Sequence, residues 1–352
     1  MPPPDTAALP LPSAPTLAPS ALPQGKSSHL EYMMDKRLWI GLALAGLIAP
    51  YLFYEVTLAK LVCFALFAVA FNLLIGYAGL LSFGHAAFFG SAAYVCGYVV
   101  RDLHLGPELG VVAGTLAAGL LGALFGSLAI RRQGIYFAMI TLALAQIVYF
   151  IALKSPITGG EDGMQGVKAA TALFGLVSIE SNRARYYFAL VVALLGFAVV
   201  YRAIHSPFGA VLKAIRENEP RALSLGYKVE RVKLLAFVLS AALAGTAGSL
   251  KAIVLEAATL TDIRWTMSGE VVLMTLLGGM GTVTGPIVGA FTVAGVESWL
   301  ANIGQAAEVS AWLRAITSAQ VVMGLIFIFC VLLFRRGIVG ELQHVMKRNL
   351  NL

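Results

Sequence analysis

Residues 202–233, RAIHSPFGAVLKAIRENEPRALSLGYKVERVK, form the longest strongly charged run in a chain that is otherwise almost continuously apolar. This basic segment carries seven lysines and arginines against three glutamates, and hydrophobic runs long enough to cross a bilayer flank it on both sides. Such a segment does not lie within a membrane. Because Lys and Arg beside spanning segments favour the cytoplasmic side, the pattern predicts that the basic segment is cytoplasmic.

The composition predicts a polytopic membrane protein. Hydrophobic residues make up 59% of the 352-residue chain and charged residues only 12%, against roughly 25% charged residues in soluble proteins. The net charge of +7 is explained by cytoplasmic loops that face the anionic lipid bilayer, so no nucleic-acid partner is expected. The three cysteines show no metal-ligand spacing, so no metal site is expected.

Nine apolar blocks are long enough to be spanning candidates: residues 38–54, 57–76, 80–100, 110–130, 134–153, 186–204, 234–255, 271–297 and 317–334. They predict an all-α, polytopic membrane helical bundle of about 8–10 transmembrane segments. A disordered, cytoplasmic Pro- and Ala-rich tail is expected over residues 1–37, a membrane domain over residues 38–336 and a cytoplasmic tail over residues 337–352. Residues 169–177, in the longest outer loop, are expected to form a short helix at the membrane interface.

The apolar block at residues 271–297 conflicts with a simple count of crossings. The basic loops place the basic segment inside, yet three further simple crossings would leave the basic residues near the C-terminus outside. Five glycines and Pro286 interrupt the block, and irregular backbone is tolerated at membrane depth only inside protein or beside water. We predict two helical arms that meet at this Gly-rich bend and enter and leave on the outer face. The alternative is an ordinary span here with a tenth crossing within residues 300–315.

The block at residues 80–100 is also rich in glycine. A helix break near Gly84 would expose Ser82 and His85 to a central pathway, because polar groups within spans usually face the interior or a cavity. The alternative is a small-residue helix face that lets neighbouring helices approach closely. Thr141 is expected to satisfy the backbone of a neighbouring helix.

The basic segment itself has the pattern of two short helices, over residues 208–218 and 220–225. Phe208, Leu212 and Ile215 recur at helical spacing with charged residues on the other faces. Pro220 should interrupt this helix and start a second turn, which Gly226 is suited to end. A compact helix pair of this kind fits a groove on a soluble partner, and the alternative is a connector that lies on the membrane surface.

Several motifs resemble those of the LivM-type permeases of bacterial branched-chain amino acid ABC importers. They are NLLIGYAGLLSFGHAAFFG at residues 72–90, TGG at 158–160, AIRENE at 214–219, KLLAF at 233–237 and GGMGT at 278–282 with Gly285 and Pro286. The resemblance covers most of residues 57–334, in the family's order. It implies an inner-membrane subunit that works with a second, LivH-like permease, two cytoplasmic ATPase subunits and a periplasmic substrate-binding protein. Related permeases for urea, short amides and some sugars share much of the pattern.

The resemblance implies ATP-driven import of branched-chain amino acids, or of a related small amino acid or amide. The basic residues near both ends of the chain predict that both termini are cytoplasmic. The chain has no complete phosphate loop, so we expect no enzyme activity and no cofactor in it, and ATP-Mg would be bound by the ATPase subunits. The residues expected to couple to those subunits are Phe208, Leu212, Ile215, Arg216, Glu217, Glu219 and Gly226. The residues expected to line the substrate pathway are Asn72, Ser82, Gly84, His85, Gly278, Gly279 and Gly281. The alternative is an ion-gradient-driven secondary transporter, against which stands the lack of a paired intramembrane carboxylate and base.

Overall fold

The computed structural model describes residues 41, 44–169, 171–172, 177–306, 321, 324–325, 328 and 337–341. The chain divides into two compact units, residues 1–47 and 48–352. The described residues of the first unit are helical. All elements named below belong to the second unit. The expected tail over residues 1–37 and most of the expected span over 317–334 lie outside the described residues.

Ten α-helices of the second unit have defined bounds. They are α1 (Glu55–Asn72), α2 (His85–Arg101), α3 (Pro107–Ala129), α4 (Ile135–Lys154), α5 (Asn182–Ile204), α6 (Pro207–Glu217), α7 (Glu219–Ser224), α8 (Val229–Leu255), α9 (Trp265–Gly278) and α10 (Gly285–Ala306). A π-helical turn, Leu73–Ala78, extends α1. The extended α1, with α3, α4, α5 and α8, is long and apolar enough to cross a membrane. The predicted all-α polytopic membrane bundle is thus confirmed.

Helix α1 forms the centre of the bundle. Its eighteen residues contain neither glycine nor proline, and all of its residues from Leu58 to Asn72 are buried apart from Lys60. A helix that is apolar on all sides is buried on all sides, and α5, α8, α9 and α10 pack around it. Helix α3, in contrast, leaves Leu116, Leu120 and Leu124 exposed along one face, as expected for contact with lipid.

Helices α2, α3 and α8 pack backbone to backbone through small residues. A Cβ atom added at Gly248 would lie 1.9 Å from the Phe89 carbonyl oxygen, and one added at Gly114 would lie 2.7 Å from the Ala92 carbonyl oxygen. These distances leave no room for a side chain. The three helices therefore approach as closely as helices do at small-residue interfaces in membranes.

The chain is not helical between α1 and α2. Gly79 ends the π-helical turn with a φ of 71°, a left-handed conformation that glycine adopts at low cost. The next free amides bind side chains, because Phe83 N donates to Thr141 Oγ1 at 3.2 Å and Gly84 N donates to Ser82 Oγ at 3.2 Å. The predicted break near Gly84 is confirmed. Thr141 binds the non-helical backbone before α2, whereas the sequence predicted that it would satisfy the backbone of a neighbouring helix. The expected span from residue 80 was wrong at its start, since the helix begins only at His85.

Helices α9 and α10 form a hairpin around residues 279–284. A Cβ at Gly278 would lie 1.9 Å from the Gly285 carbonyl oxygen, and one at Gly289 would lie 1.8 Å from the Met274 carbonyl oxygen. The glycines are therefore needed where the two arms touch. The prediction of two arms that meet at a Gly-rich bend is confirmed, and the alternative of one continuous span is wrong.

The two ends of the bundle are distinct. At one end, which we call the Glu55 end, Arg183 Nε donates to Glu55 Oε1 at 2.8 Å, and Arg185 pairs with Glu256 at 2.7 Å. Lys251, near the end of α8, forms a buried ion pair there with Asp262, eleven residues later in the chain. The other end, which we call the Arg216 end, carries α6, α7 and the bend between α9 and α10.

Short strands connect the helices at the Glu55 end. Strand β1 (Met164–Gln165) pairs with β4 (Ala257–Ala258), and β2 (Thr171–Ala172) pairs with β3 (Val177–Ser178), both antiparallel. The helix expected over residues 169–177 was therefore wrong. Instead, Thr171 pairs with Ser178 and Ala172 pairs with Val177, and the β-branched Thr171 and Val177 favour the extended backbone of a strand.

Candidate functional site

The basic segment folds into the two predicted short helices, within one residue of the expected bounds. Helix α6 begins at Pro207, and α7 begins after Asn218, whose side-chain oxygen accepts a hydrogen bond from Arg221 N at 3.0 Å. Gly226, with a φ of 84°, follows the last turn of α7. The N–H of Tyr227 then donates to the Ala222 carbonyl at 3.2 Å. This left-handed ending is the helix stop that the sequence predicted.

The predicted apolar face of α6 is packed against the rest of the bundle. Leu212 and Ile215 are buried, and Phe208 is half-buried. Ile215 forms a small core with Ala222 of α7 and Val229 of α8. The inner side of the basic segment is thus occupied by the protein itself rather than by lipid.

A buried ion pair ties α7 to α8. Lys233 Nζ lies 2.7 Å from Glu219 Oε2, and only 5% of the Lys233 side chain is exposed. Removal of Glu219 would leave the buried Lys233 ammonium uncompensated, which is strongly unfavourable. Helices α6 and α7 and the start of α8 are therefore held together as one body.

Apolar side chains on the outer side of α7 were missed by sequence reasoning. Leu223, Leu225 and Tyr227 are 56%, 68% and 44% exposed, respectively. The signal was present, because these apolar residues occupy every second position from 223 to 227, which is not the pattern of a buried helical face. They form a small apolar tip between charged neighbours.

Arg216 reaches from α6 to the end of α1. Its Nη1 donates a hydrogen bond to the carbonyl oxygen of Gly76, in the π-helical turn. One turn earlier, Lys213 Nζ lies 5.5 Å from the centre of the Tyr77 ring, within the range of a cation–π interaction. A Cβ at Gly79 would lie 3.1 Å from Arg216 Cγ. The Gly76 carbonyl and the absence of a side chain at Gly79 thus accommodate Arg216 at the end of α1.

Asn72, the last residue of α1, links the π-helical turn to the hairpin bend. Its Oδ1 accepts a hydrogen bond from Gly281 N at 2.9 Å, and its Nδ2 donates to the Thr282 carbonyl at 2.8 Å. Both groups of the side-chain amide are used by backbone that helix geometry leaves free. This one side chain therefore holds the end of α1 against the bend between α9 and α10.

These contacts build one junction at the Arg216 end. A cleft in it is lined by Gly76, Tyr77, Lys213, Arg216, Glu217 and Gly281. Arg216 and Glu217 were predicted for coupling and Gly281 for the substrate pathway, so the structure brings the two predicted sets together. Three residues of the cleft were not predicted. Gly76 and Tyr77 lie in the motif at residues 72–90, and Lys213 lies one helical turn before Arg216.

Asn72, another predicted pathway residue, is also part of this junction, whereas Ser82, Gly84 and His85 lie apart from it. Ser82 and His85 are both completely buried in the chain. His85 Nε2 lies 2.9 Å from Ser240 Oγ, which donates its own proton to the Ala70 carbonyl at 2.6 Å. Because the hydroxyl proton is used, the proton shared with His85 belongs to Nε2.

Aromatic rings enclose His85. The ring centres of Phe71, Phe88 and Phe237 lie 5.0, 5.4 and 5.8 Å from the imidazole centre. Gly84 lies against α4, because a Cβ there would be 2.9 Å from the Thr141 carbonyl oxygen. Gly278 and Gly279 lie at the end of α9, where the arms touch. Pathway lining by these residues stays a prediction.

Asn72→Ala should loosen the bend without unfolding the protein. It leaves Gly281 N and the Thr282 carbonyl without their partners, which we expect to cost about 1–3 kcal/mol. Hydrogen–deuterium exchange at residues 279–284 should become faster, and the melting temperature of the detergent-purified protein should fall. Asn182→Ala, at an exposed position, is the control and should change neither quantity. Unchanged exchange in Asn72→Ala would show that Asn72 does not hold the bend.

The sequence matches a family profile described as "Branched-chain amino acid transport system / permease component" over residues 53–331. This range contains every α-helix described above. No solved structure gives a significant match.

Curated relatives agree with the profile. The "High-affinity branched-chain amino acid transport system permease protein LivM" of Escherichia coli is 30% identical over 241 residues, which cover 62% of this chain and 57% of that protein. The "Probable branched-chain amino acid transport permease protein LivH" of Methanocaldococcus jannaschii is 27% identical over 47% of this chain and 50% of its own length. The "Autoinducer 2 import system permease protein LsrC" of Salmonella typhi is 27% identical over 67% of this chain and 64% of its own length.

The chain thus spans 57% of the E. coli relative's length. The profile, however, covers well over half of this chain and includes both broken helices and the basic segment. The apolar helices make the protein a multi-pass membrane protein. It belongs to the family of permease components of branched-chain amino acid transport systems.

Proposed function

We propose that this chain is a permease subunit of an ATP-driven importer that moves branched-chain amino acids across the bacterial inner membrane. The observation that carries the proposal is the junction at the Arg216 end, where the basic segment contacts α1 through Arg216 and Asn72 fastens α1 to the hairpin bend. Relatives named as permeases of transport and import systems favour this function over an ion-gradient-driven secondary transporter.

The Arg216 end is the cytoplasmic end in this proposal. The basic segment lies there, and so do the exposed Arg131 and Arg132, which directly follow α3. Gly337 packs against the bend, since a Cβ there would lie 2.4 Å from Gly279 Cα. The C-terminal tail would therefore begin on the cytoplasmic side. The positive-inside rule, applied to Lys36 and Arg37, favours a cytoplasmic N-terminus as well.

The partners in this proposal are a second, LivH-like permease, two cytoplasmic ATPase subunits that bind ATP-Mg, and a periplasmic substrate-binding protein. The apolar tip of Leu223, Leu225 and Tyr227 is the surface on which an ATPase subunit would dock. A small exposed apolar group between charges is the form in which a short helix enters a groove on a soluble partner. The buried inner face of α6 supports this role over that of a connector lying on the lipid surface.

The fold gives such docking a mechanical consequence. Helices α6 and α7 and the start of α8 form one body through the core around Ile215 and the pair Glu219–Lys233. Only two residues, His205 and Ser206, separate α5 from α6. A displacement of the basic segment would therefore move α5 and α8 and, through the junction, the end of α1 and the hairpin bend. Such rigid-body movement is how packed elements switch between two states.

Reconstitution tests the proposal directly. The chain is purified with its two ATPase subunits and second permease, placed in liposomes that contain ATP-Mg, and supplied outside with the binding protein and radiolabelled leucine. We expect uptake that requires ATP and is competed by valine and isoleucine but not by leucinamide or urea. Leucine uptake by the chain without ATPase subunits, driven by an ion gradient, would contradict the proposal. The matched control omits only magnesium.

A further inference from the structure

The chain between α8 and α9 folds back into the bundle. A Cβ atom added at Gly90 of α2 would lie 2.8 Å from Ile263 N, so residue 263 touches the α2 backbone. Gly90 is eleven residues before Arg101, the last residue of α2, which corresponds to about 16 Å along the helix axis. Arg264, the next residue of the chain, therefore lies well below the Glu55 end of the bundle.

Arg264 is exposed at this depth, and its guanidinium has no partner. Within the described part of the chain its side chain makes no hydrogen bond, ion pair or cation–π contact. The lysines in this half of the bundle differ, because Lys60 lies 3.7 Å from Glu297 and Lys251 pairs with Asp262. The depth exceeds the length of an arginine side chain, so the guanidinium does not reach the membrane surface. A charge within the bilayer usually faces water or a counter-charge, so Arg264 indicates a polar space beside it.

Gln146 of α4 is a second polar group without a partner. It is half-buried, and its amide makes no hydrogen bond to any residue that the structure describes. It lies eight residues before Lys154, the last residue of α4, or about 12 Å along the helix. The exposed Ser127 of α3, in contrast, donates to the Leu124 carbonyl at 2.7 Å. An amide without a partner is strongly unfavourable in lipid, so Gln146 also indicates a polar space.

The two groups lie at about the same depth on neighbouring elements. A Cβ at Gly84 would lie 2.9 Å from the Thr141 carbonyl oxygen, so α2 and α4 touch there. From this contact, Gln146 is five residues and Gly90 is six residues closer to the Glu55 end, which is about 8 and 9 Å. Helix α4 also packs against residues 260–262 and against α9. The guanidinium and the amide therefore belong to one polar region where α4 meets the start of α9.

We propose that Arg264 and Gln146, which we call the polar pair, bind the carboxylate of the amino acid during its passage. The planar guanidinium offers N–H groups that match both oxygens of a carboxylate, and the side-chain amide adds a further donor. A free amino acid carries a carboxylate, whereas urea, a neutral amide or a sugar does not. This inference rests on the proposed function and adds to it a place where the permease itself contacts its solute.

Helix α9 connects the polar pair to the junction. Arg264 directly precedes α9, which ends at Gly278 beside the bend, about 20 Å away along the helix. Asn72 fastens that bend to the end of α1. Gln146 is carried by α4, so a movement of α9 with the bend changes the distance between the two donors. The polar pair would bind the carboxylate well in one state and poorly in the other, which is the condition for release of the solute.

Neutral variants of the polar pair test the proposal in the assembled importer. Arg264→Gln removes the charge, Gln146→Leu removes the amide at similar size, and Lys154→Gln removes a charge from the exposed end of α4 as the matched control. Leucine uptake and ATP hydrolysis are measured in the same liposomes at saturating leucine-loaded binding protein. We expect uptake to fall roughly tenfold in Arg264→Gln and severalfold in Gln146→Leu, while the binding protein still stimulates hydrolysis. Lys154→Gln should behave as the wild-type chain does.

Rescue separates binding from a structural role. Arg264→Lys keeps the charge and should recover part of the uptake rate that Arg264→Gln loses. A lysine variant as defective as the glutamine variant would contradict binding of a carboxylate.

Other results would also overturn the proposal. Wild-type uptake in Arg264→Gln or in Gln146→Leu would show that the polar pair does not contact the solute. Loss of stimulated hydrolysis in Arg264→Gln would assign the arginine to docking of the binding protein, and loss of the second permease from the purified complex would assign it to subunit contact. A wild-type complex that does not take up leucine would contradict the proposed function itself, so the two failures are distinguishable.

Discussion

Arg216→Ala is expected to uncouple ATP hydrolysis from uptake and to lower the leucine uptake rate roughly tenfold to a hundredfold. The Arg216 guanidinium is the group of α6 that donates to the Gly76 carbonyl, next to the backbone held by Asn72. Hydrogen bonds to charged groups are worth about 1.5–3 kcal/mol. Without this bond, movement of the basic segment would no longer be passed fully to α1 and to the bend.

The measurement compares uptake with ATP hydrolysis in the same liposomes. Basal hydrolysis should persist, while its stimulation by the loaded binding protein should be lost. Arg231→Ala removes an equal charge from an exposed position at the start of α8 and should keep both activities. Arg216→Lys should recover little, because an ammonium on a shorter side chain does not reproduce the reach of the guanidinium. Full stimulation in Arg216→Ala would rule out this arginine as the link.

Gly248→Ala is expected to destabilise the bundle by about 3 kcal/mol or more. The new methyl group would lie 1.9 Å from the Phe89 carbonyl oxygen, so α2 and α8 have to separate. The helices meet through backbone, which has no flexible side chain that could move aside. The melting temperature of the detergent-purified protein should fall strongly, and much of the protein should aggregate on size-exclusion chromatography.

Gly119→Ala is the matched control for this substitution. A Cβ at Gly119 would lie 3.6 Å from the Ala242 Cβ, an ordinary contact distance. Alanine is also the better helix former by about 1 kcal/mol, so this variant should be as stable as the wild type or slightly more stable. Equal melting temperatures for the two variants would show that the close packing of α2 on α8 contributes little to stability.

The elements that could be predicted from sequence are those set by local chemistry. Pro220 and Gly226 act on their own backbone, so both helices of the basic segment were predicted within one residue. The glycines of the hairpin likewise predicted the bend between α9 and α10. The start of α2 could not be predicted, because residues 79–84 are held by Thr141, more than fifty residues away, whose hydroxyl accepts from Phe83 N. Hydropathy alone cannot show that contact.

In the candidate site, too, the contacts between distant residues could not be predicted from sequence. Asn72 was predicted to be functional because it is a polar residue within a span, but its partners lie more than 200 residues away. No sequence spacing shows that one amide holds the backbone of a distant bend. The contact of Glu297 with Lys60 was not predicted either, since each is a single charge in its own segment. Only the packing of α10 on α1 brings Glu297 near Lys60.

The Lys251–Asp262 pair has a consequence for how the chain enters the membrane during synthesis. Its two members are eleven residues apart, so the ammonium of α8 meets its counter-ion almost as soon as that helix has been translated. Because an unpaired charge in a bilayer is costly, this timing lets α8 insert before α9 and α10 exist. Lys60 has no such neighbour, since Glu297 is made much later. The Lys60 side chain is therefore expected to stay at the membrane surface until α9 and α10 have been synthesised.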